Sequence, residues 1–375
     1  MPKAVKAIGL MSGTSLDGID AALLVTDGET VVRRGAALTV PYDVQTRIML
    51  HAALEEARNV AEGAPVPYAI RDAERHITLA HAEAVRELIR KSGETDVDLI
   101  GFHGQTILHR PARRWTWQIG DGALLASLTG IDVVNDFRSA DVKAGGQGAP
   151  LVPLYHAALV KMLAKPKPPL VVANIGGVAN ITYVGADIAG ERVLAFDTGP
   201  GNAPIDDWVR THTGEMLDKD GALARTGHID VTALAAMLDN PFFAAPPPKS
   251  LDRMDFGTKA VAHLSPADGA ATLTAFTAVA LTRARDHFPE PANAWIICGG
   301  GRHNGALMAQ LRSRLNVPVM TAEDAGWAGD FIEAEAFAFL AVRSANGLSL
   351  SLPSTTGVAM PMTGGRFHRA PKPSL

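Results

Sequence analysis

Cysteine is nearly missing from this chain. One of its 375 residues, Cys298, is a cysteine, which excludes an internal disulfide framework and a cysteine-rich metal centre. No block of like charge occurs either. Lys and Arg number 35 against 39 Asp and Glu, a net charge of −4, so the chain has no electrostatic footprint for nucleic acid or an anionic membrane surface. The most apolar of the long uncharged stretches, PPLVVANIGGVANITYVGA from Pro168 to Ala186, is broken by glycine, asparagine and proline. It reads as two strands and a turn, not a membrane helix. His51, His76, His81 and His109 show no ligand spacing with acids, so a protein-held transition metal is not expected. The first ten residues, MPKAVKAIGL, carry no export-type apolar region or cleavage site. A cytoplasmic protein without nucleic-acid or membrane partners is the expectation.

What is abundant is apolar residue and glycine. A hydrophobic content of 47% is ample for a buried core. Gly (36) and Pro (24) together exceed the usual level of roughly 12%, so turns and glycine loops should be frequent. At about 150 residues per domain, the length suggests two to three domains. Strands are expected at Ala4–Met11 and Ile19–Thr26 about a polar glycine turn. A long helix is expected over Tyr68–Lys91, where Ile70, Ala73, Ile77, Ala80, Ala84 and Leu88 recur at helical spacing and Gly93 stands at the cap. Asp96–Phe102 reads as a strand ended by the loop His103-Gly104-Gln105-Thr106. Asp121 could cap a short helix through Leu128, and Ile131–Phe137 reads as another strand.

The same style begins again near residue 170. Leu170–Asn174 and Val178–Val184 flank the turn Gly176-Gly177, and Val193–Phe196 ends in Asp197. A helix over 271–288, a strand Trp295–Cys298, a helix Asn304–Leu315 and an apolar helix from about Phe331 to Ala345 follow. Two related α/β halves account for this alternation.

Three glycine-bearing turns follow strands: Ser12–Gly18, Asn174–Gly177 and Gly299–Gly301. Glycine lets backbone approach a ligand closely, and successive N–H groups form concave anion sites. None matches the P-loop or Rossmann fingerprint, so each is either a phosphate turn or a plain hairpin. Asp197, between the apolar run Val193–Phe196 and Thr198-Gly199-Pro200-Gly201-Asn202, is either a strand-end general base or the cap of a helix beginning near Pro204. Arg138 suits bidentate recognition of carboxylate or phosphate, with a surface salt bridge as the alternative. Glu333 is either a helix-start acid placed by the dipole or a ligand contact. Cys298 reads as a small buried hydrophobe.

Together these segments resemble one family. GLMSGTSLDGIDAAL (Gly9–Leu23), GFHGQTILHRP (Gly101–Pro111), VVNDFRSADVKAGGQGAPLVP (Val133–Pro153), NIGGVANIT (Asn174–Thr182), FDTGPGN (Phe196–Asn202) and CGGGRHN (Cys298–Asn304) are similar, in order, to the signatures of the anhydro-N-acetylmuramic acid kinase family. The family stretch resembling PKSTGRE stands here as Pro248-Lys249-Ser250-Leu251-Asp252-Arg253-Met254, and Ser139 and Ala140 replace arginines after Arg138.

The resemblance implies an α/β fold of the sugar kinase/Hsp70/actin superfamily, with two ribonuclease-H-like domains, each with a mixed five-stranded sheet, around an interdomain cleft. The first domain would be 1–137 plus about 345–375, and the second 138–344. It implies an ATP-dependent kinase that opens 1,6-anhydro-N-acetylmuramic acid with water and phosphorylates O6, giving N-acetylmuramic acid 6-phosphate and ADP. By the same resemblance Gly13, Thr14, Ser15, Leu16, Asp17, Gly18, Ile19 and Asp20 form the first phosphate loop, Gly176 and Gly177 the second, and Gly299, Gly300 and Gly301 approach the adenosine. Asp197 is the catalytic base, and Thr106, Arg138 and Glu333 contact the sugar. Mg²⁺ would travel with ATP and meet Asp17 or Asp20 through water, with no direct protein ligand. A homodimer is compatible. Three rivals remain at this stage: a hydroxyl-directed sugar kinase, a nucleotide-gated binding module, and a glycosidase, which would need two carboxylates where one strong candidate is visible.

Overall fold

The computed structural model describes residues 3–13, 15–186, 193–251 and 255–371. The chain divides into two compact units, Met1–Met162 with Phe331–Leu375, and Leu163–Asp330. Segments 138–162 and 331–344, assigned from sequence to the second domain, therefore lie in the first unit.

In chain order the first unit begins with β1 (Val5–Ser12), β2 (Gly18–Thr26) and β3 (Val31–Pro41). It continues with α1 (Val44–Ala57), α2 (Tyr68–Ser92), β4 (Leu99–Arg110), β5 (Trp115–Ile119), α3 (Gly122–Thr129), β6 (Asp132–Asn135), α4 (Ser139–Lys143) and α5 (Pro153–Met162). The second unit holds β7 (Leu170–Ile175), β8 (Val178–Val184), β9 (Val193–Pro200), α6 (Ala203–Thr213), α7 (Val231–Leu238), α8 (Pro241–Ala244), α9 (Pro266–Thr282), β10 (Ala294–Cys298), α10 (Gly305–Arg314) and β11 (Val319–Thr321). The chain then returns to the first unit with α11 (Ile332–Ala345), α12 (Pro353–Thr356) and β12 (Arg366–His368).

The local signals explain most boundaries. In α2, Ile70, Ala73, Ile77, Ala84 and Leu88 are buried, and Gly93 closes the helix in the left-handed region at φ 68° with its N–H on the Ile89 carbonyl. The Asp121 carboxylate accepts from Leu124 N and caps α3, and Asn304 caps α10 through Leu307 N. The expected helix over 271–288 begins earlier, at Pro266 behind the Ser265 cap, and gives way to a 3₁₀ turn after Thr282.

In the first sheet the order is β12-β6-β4-β1-β2-β3, with β5 paired to the far part of β4, making seven strands among the described residues. The second has five, β11-β10-β7-β8-β9. The expectation of five strands holds for the second sheet only. The first is larger because β5 folds back on β4 and β12 adds beside β6. Within each sheet a common kernel repeats. β1 runs antiparallel to β2 and β2 to β3, while β4 and β6 run parallel on the other side. In the same way β7, β8 and β9 alternate, and β10 and β11 continue in parallel.

Two expected loops are strand. β4 runs through His103, Gly104, Gln105 and Thr106, because β5 supplies ladder partners for Gln105 and Thr106. β9 likewise runs through Asp197 to Pro200, paired on β8. β3 and α1 have no counterpart in the sequence expectations.

Helix α11 lies against β1 and β4 in the first unit. A Cβ at Gly9 would overlap the Ala334 carbonyl, and one at Gly101 the Phe337 carbonyl. These glycines exist for close approach of helix to sheet. Ile8, Leu10, Ile19, Ile100 and Phe102 anchor a core over α1 and α2, and Val171, Ile181, Phe196, Trp295 and Leu307 anchor that of the second unit.

Candidate active site

In the first unit, polar side chains gather where β1 and β4 approach the turn before β2. The Ser12 hydroxyl donates to Gln105 Oε1 at 2.5 Å and lies 2.9 Å from the Tyr42 hydroxyl. Gln105 Nε2 donates to the Gly13 carbonyl at 3.2 Å, and Tyr42 N donates to the Asp17 carbonyl at 2.9 Å. All three side chains are buried, so each bond is protected from water and the turn is held at both ends. Neither Tyr42 nor Gln105 was singled out from sequence as a site residue. Gln105 was visible there only within the polar cluster after a strand.

Along the turn the sequence-predicted residues divide. Thr14 lies outside the described residues. Gly13 is half-buried, Ser15 and Asp17 are exposed, and Ser15 Oγ donates to Asp17 Oδ1 at 2.7 Å. Leu16 and Ile19 instead point into the core, leaving only their backbone for a ligand. Leu16 holds the left-handed φ of 56°, a conformation costly for a bulky side chain and maintained here by its burial. Gly18 packs against the Val40 carbonyl, and Asp20 accepts from Thr39 Oγ1 at 2.5 Å.

Arg138 precedes α4. Its Nε and Nη2 donate to His103 Nε2 at 3.1 and 3.0 Å, and Nη1 donates to the Gly148 carbonyl at 2.7 Å. The surface salt bridge considered from sequence is not its arrangement. Desolvation lowers its pKa to about 10, with Glu333 and Asp141 opposing the shift, and it stays cationic at neutral pH. Asp141 ties the neighbouring glycine loop by accepting from Gly148 N at 2.6 Å, from Thr356 Oγ1 at 2.6 Å and from Ser351 Oγ. Thr106 is half-buried on β4 and accepts from Gln118 Nε2 at 3.2 Å. Glu333 is exposed in the first turn of α11, where the helix dipole favours an acid.

In the second unit the turns at the ends of β7 and β10 lie side by side, because these strands are parallel neighbours with Asn174 opposite Cys298. Gly201 N donates to the Gly177 carbonyl at 2.9 Å and Asn202 N to the Gly176 carbonyl at 2.7 Å, so backbone holds this turn. Gly299 takes φ 71°, and a Cβ there would overlap Asn174 Oδ1. Beside it a pocket of about 480 Å³ is lined by Asn202, Asp206, Leu217, Lys219, Gly300 and Asn304 among others. Cys298 is buried in the sheet.

Register places Asn174, Asn180 and Asp197 in one row across β7, β8 and β9. Asp197 therefore shares the sheet end of the glycine turns. Its N–H donates to the Lys249 carbonyl at 3.0 Å, and its Oδ2 accepts from Leu251 N at 2.8 Å. It does not cap α6, whose cap position is Asn202. Desolvation pushes its pKa up to about 7 against the lowering effect of the Leu251 N–H. A carboxylate poised there can take a proton at neutral pH. The rest of the divergent stretch, Asp252, Arg253 and Met254, lies outside the described residues. Among the described residues no group of three His, Cys, Asp or Glu could hold a metal ion, and no helix is long and apolar enough to cross a membrane.

Twin units with this strand order, each with glycine turns at its sheet end, define the sugar kinase/Hsp70/actin class of two ribonuclease-H-like domains. The model of the family described as anhydro-N-acetylmuramic acid kinase matches residues 5–369. An anhydro-N-acetylmuramic acid kinase of Rhodospirillum rubrum is 55% identical, with the alignment covering 98% of this chain and 95% of that one. Relatives of the same name from Paramagnetospirillum magneticum and Acidiphilium cryptum are each 53% identical, covering 96% and 97% of this chain and 99% and 98% of theirs. The chain belongs to the anhydro-N-acetylmuramic acid kinase family. A solved glucokinase of Streptomyces griseus, in complex with glucose and AMPPNP, aligns over 90% of this chain and 99% of that one at 14% identity and a TM-score of 0.38. At that score the alignment adds nothing to the topology.

Proposed function

We propose that the chain opens 1,6-anhydro-N-acetylmuramic acid with water and transfers the γ-phosphoryl group of ATP to O6, with Asp197 as the base. The observation that carries the role of Asp197 is its place in the row Asn174–Asn180–Asp197, beside the glycine turns, with a pKa raised to about 7. Asp197 takes a proton from water as the water oxygen bonds to the anomeric carbon. The bond from that carbon to O6 breaks, O6 attacks the γ-phosphorus, and ADP leaves. The products are N-acetylmuramic acid 6-phosphate and ADP, and the proton on Asp197 passes to solvent. Because the bridge oxygen becomes nucleophilic as it is released, one base serves both bond changes. Phosphoryl transfer otherwise asks for positioning and charge stabilisation.

The glycine turns fit a polyphosphate. Gly13 and Gly176 have no φ in the left-handed region, and a Cβ on either would meet nothing closer than 3.4 Å within the fold. Their lack of a side chain leaves backbone open to a ligand. The pocket beside Gly300 suits a nucleoside in polarity and size. Mg²⁺ bound with ATP would offset phosphate charge. The exposed carboxylate of Asp17, and Asp20 on the Thr39 hydroxyl, suit contact through water. Thr106, Arg138 and Glu333 are proposed sugar contacts, and Gly177, Gly299 and Gly301 complete the nucleotide set. A cytoplasmic location and a homodimer complete the reading.

Mass analysis of products made in ¹⁸O-water tests it. The label is expected on the anomeric hydroxyl with none in the phosphoryl group. A phosphorylated product that keeps the anhydro bridge, or ADP formed without sugar, would overturn the reading.

A further inference from the structure

His103 is a buried histidine to which the proposed chemistry gives no task. The residue is 4% exposed, and its Nε2 receives both the Nε–H and an Nη2–H of Arg138. A nitrogen that accepts twice carries no proton of its own. Nδ1 therefore bears the ring hydrogen and donates it to the Gly104 carbonyl at 2.7 Å. That carbonyl can turn back to the ring because Gly104 holds φ 71°, and a Cβ there would overlap the Ile119 carbonyl. The histidine is thus held neutral, in one tautomer and one orientation.

This is an unusual seat for a guanidinium. Arginine in a protein interior is ordinarily matched to a carboxylate, which cancels its charge and occupies its fork. Here the hydrogen-bonded partners, His103 Nε2 and the Gly148 carbonyl, are both uncharged. The ionisable groups that face Arg138 are His103 and His109 from β4, Asp141 from α4 and Glu333 from α11. Asp141 already accepts from Gly148, Ser351 and Thr356, so its oxygens are committed elsewhere. Phe337 locks the arrangement from α11. Its ring centroid lies 4.5 Å from that of His103, and Arg138 Cζ sits 5.9 Å over it. Phe337 follows Glu333 by four residues and so shares its helix face.

We infer that His103 is a positioning residue that seats Arg138 without a carboxylate in its hydrogen-bonding fork, so that the guanidinium recognises the sugar substrate. The inference rests on Arg138 as a sugar contact. It predicts that the neutral acceptor at the place of Nε2 matters, not the imidazole as such. Glutamine can put Oε1 near that place, whereas asparagine is too short and leucine offers no acceptor.

The test is steady-state kinetics on the full chain with anhydro-N-acetylmuramic acid and ATP varied separately, alongside thermal unfolding. His103→Leu is expected to raise KM for the sugar by about tenfold or more, the scale of losing a hydrogen bond to a charged group, and to leave KM for ATP within about twofold. His103→Gln should bring the sugar KM back to within about threefold of the parent, and Arg138→Ala should add little to His103→Leu, because coupled residues are not additive. An unchanged sugar KM in folded His103→Leu, equal rises for sugar and ATP, or a glutamine variant as poor as the leucine one would each overturn the inference. If His103→Leu does not fold, the contrast of His103→Asn with His103→Gln decides in the same way. An Arg138→Ala variant with normal sugar KM would instead defeat the sugar-contact reading itself.

Discussion

The two units can be overlaid strand by strand through their registers, and the overlay shows where they part. Met11, Asp20 and Thr39 stand in one row of the first sheet; Asn174, Asn180 and Asp197 stand in the matching row of the second. Each row begins at the next-to-last residue of its first strand and meets the third residue of its second. The acid has changed strands. In the first unit it is Asp20, satisfied by Thr39; in the second the middle place is Asn180, and the third strand carries Asp197 with a backbone N–H as its partner. The parallel strands match in part. The β1–β4 register breaks between Leu10 and Ser12, whereas β10 keeps step with β7 as far as Cys298, and Gly104 at that break and Gly299 just past Cys298 both hold φ 71°. One backbone device therefore recurs, while the residues around it differ.

The turns differ in how they are held. Five residues, 13–17, join β1 to β2, but only Gly176 and Gly177 join β7 to β8. The longer turn depends on Ser12, Gln105 and Tyr42 side chains, whereas the shorter one is secured by backbone from Gly201 and Asn202. A short turn tied mostly by main chain calls on few side chains, here the Asn202 amide, which donates to the Ile175 carbonyl at 3.2 Å. A long one calls on more, because more conformational entropy must be offset.

The comparison can be broken most severely at its glycines. Gly101→Val would drive a side chain into the Phe337 carbonyl, and loss of the cooperative unfolding transition is expected. Gly176→Val, with no close neighbour, should keep its melting temperature within about 2 °C. Equal stability of the two variants would contradict the packing of α11 on the sheet.

Next in size is Asp197→Asn. It keeps shape and the bond from Leu251 N but cannot take a proton, so kcat should fall by at least about 10²-fold. Thr39→Val, at the matching place in the first unit, should cost kcat less than Asp197→Asn, since its hydroxyl only donates a hydrogen bond to Asp20 and takes no proton in the reaction. Comparable losses in both would show that the row, not the acid, is what matters.

Smaller again is the effect on nucleotide. Gly13→Leu and Gly176→Leu should each weaken ATP binding by about tenfold, read by calorimetry on folded protein, because a side chain would lie over backbone the phosphates need. Unchanged binding in both would remove the phosphate-turn assignment.

The smallest effects concern pH. The base must be ionised, so kcat/KM should rise with pH and level off above about 7, and the limb should vanish in Asp197→Asn. Stability runs the other way. With its pKa raised in the folded state, Asp197 binds a proton between about pH 4 and 7 that the unfolded chain does not hold, so its contribution falls as pH rises through that window. Asp197→Asn should therefore melt slightly higher than the parent at pH 8, with no gain below pH 4. A lower melting point at pH 8 would contradict the desolvation of the carboxylate.

Much of this protein was legible in the chain alone. The period of α2 with Gly93 after it, the cap Asp121, the hairpin about Gly176-Gly177 and the return of strand-turn-strand near residue 170 are all encoded by neighbours within a turn or two. The family signatures are likewise contiguous. β3 and α1 escaped because their local patterns are weak. β3 carries Arg33 and Arg34 at the sheet edge, and α1 buries only Thr46, Leu50, Ala53 and Ala57. Tertiary structure alone decided that His103 to Thr106 are strand, since β5 must fold back to pair with them, and that Asp197 lies within β9. It alone set Arg138 on His103, thirty-five residues away, and Asp197 under the Leu251 N–H, fifty-four away. Local propensity and periodicity are summed over nearby residues and survive in sequence. A site depends on which distant backbone groups meet, and that is settled only when the sheets assemble.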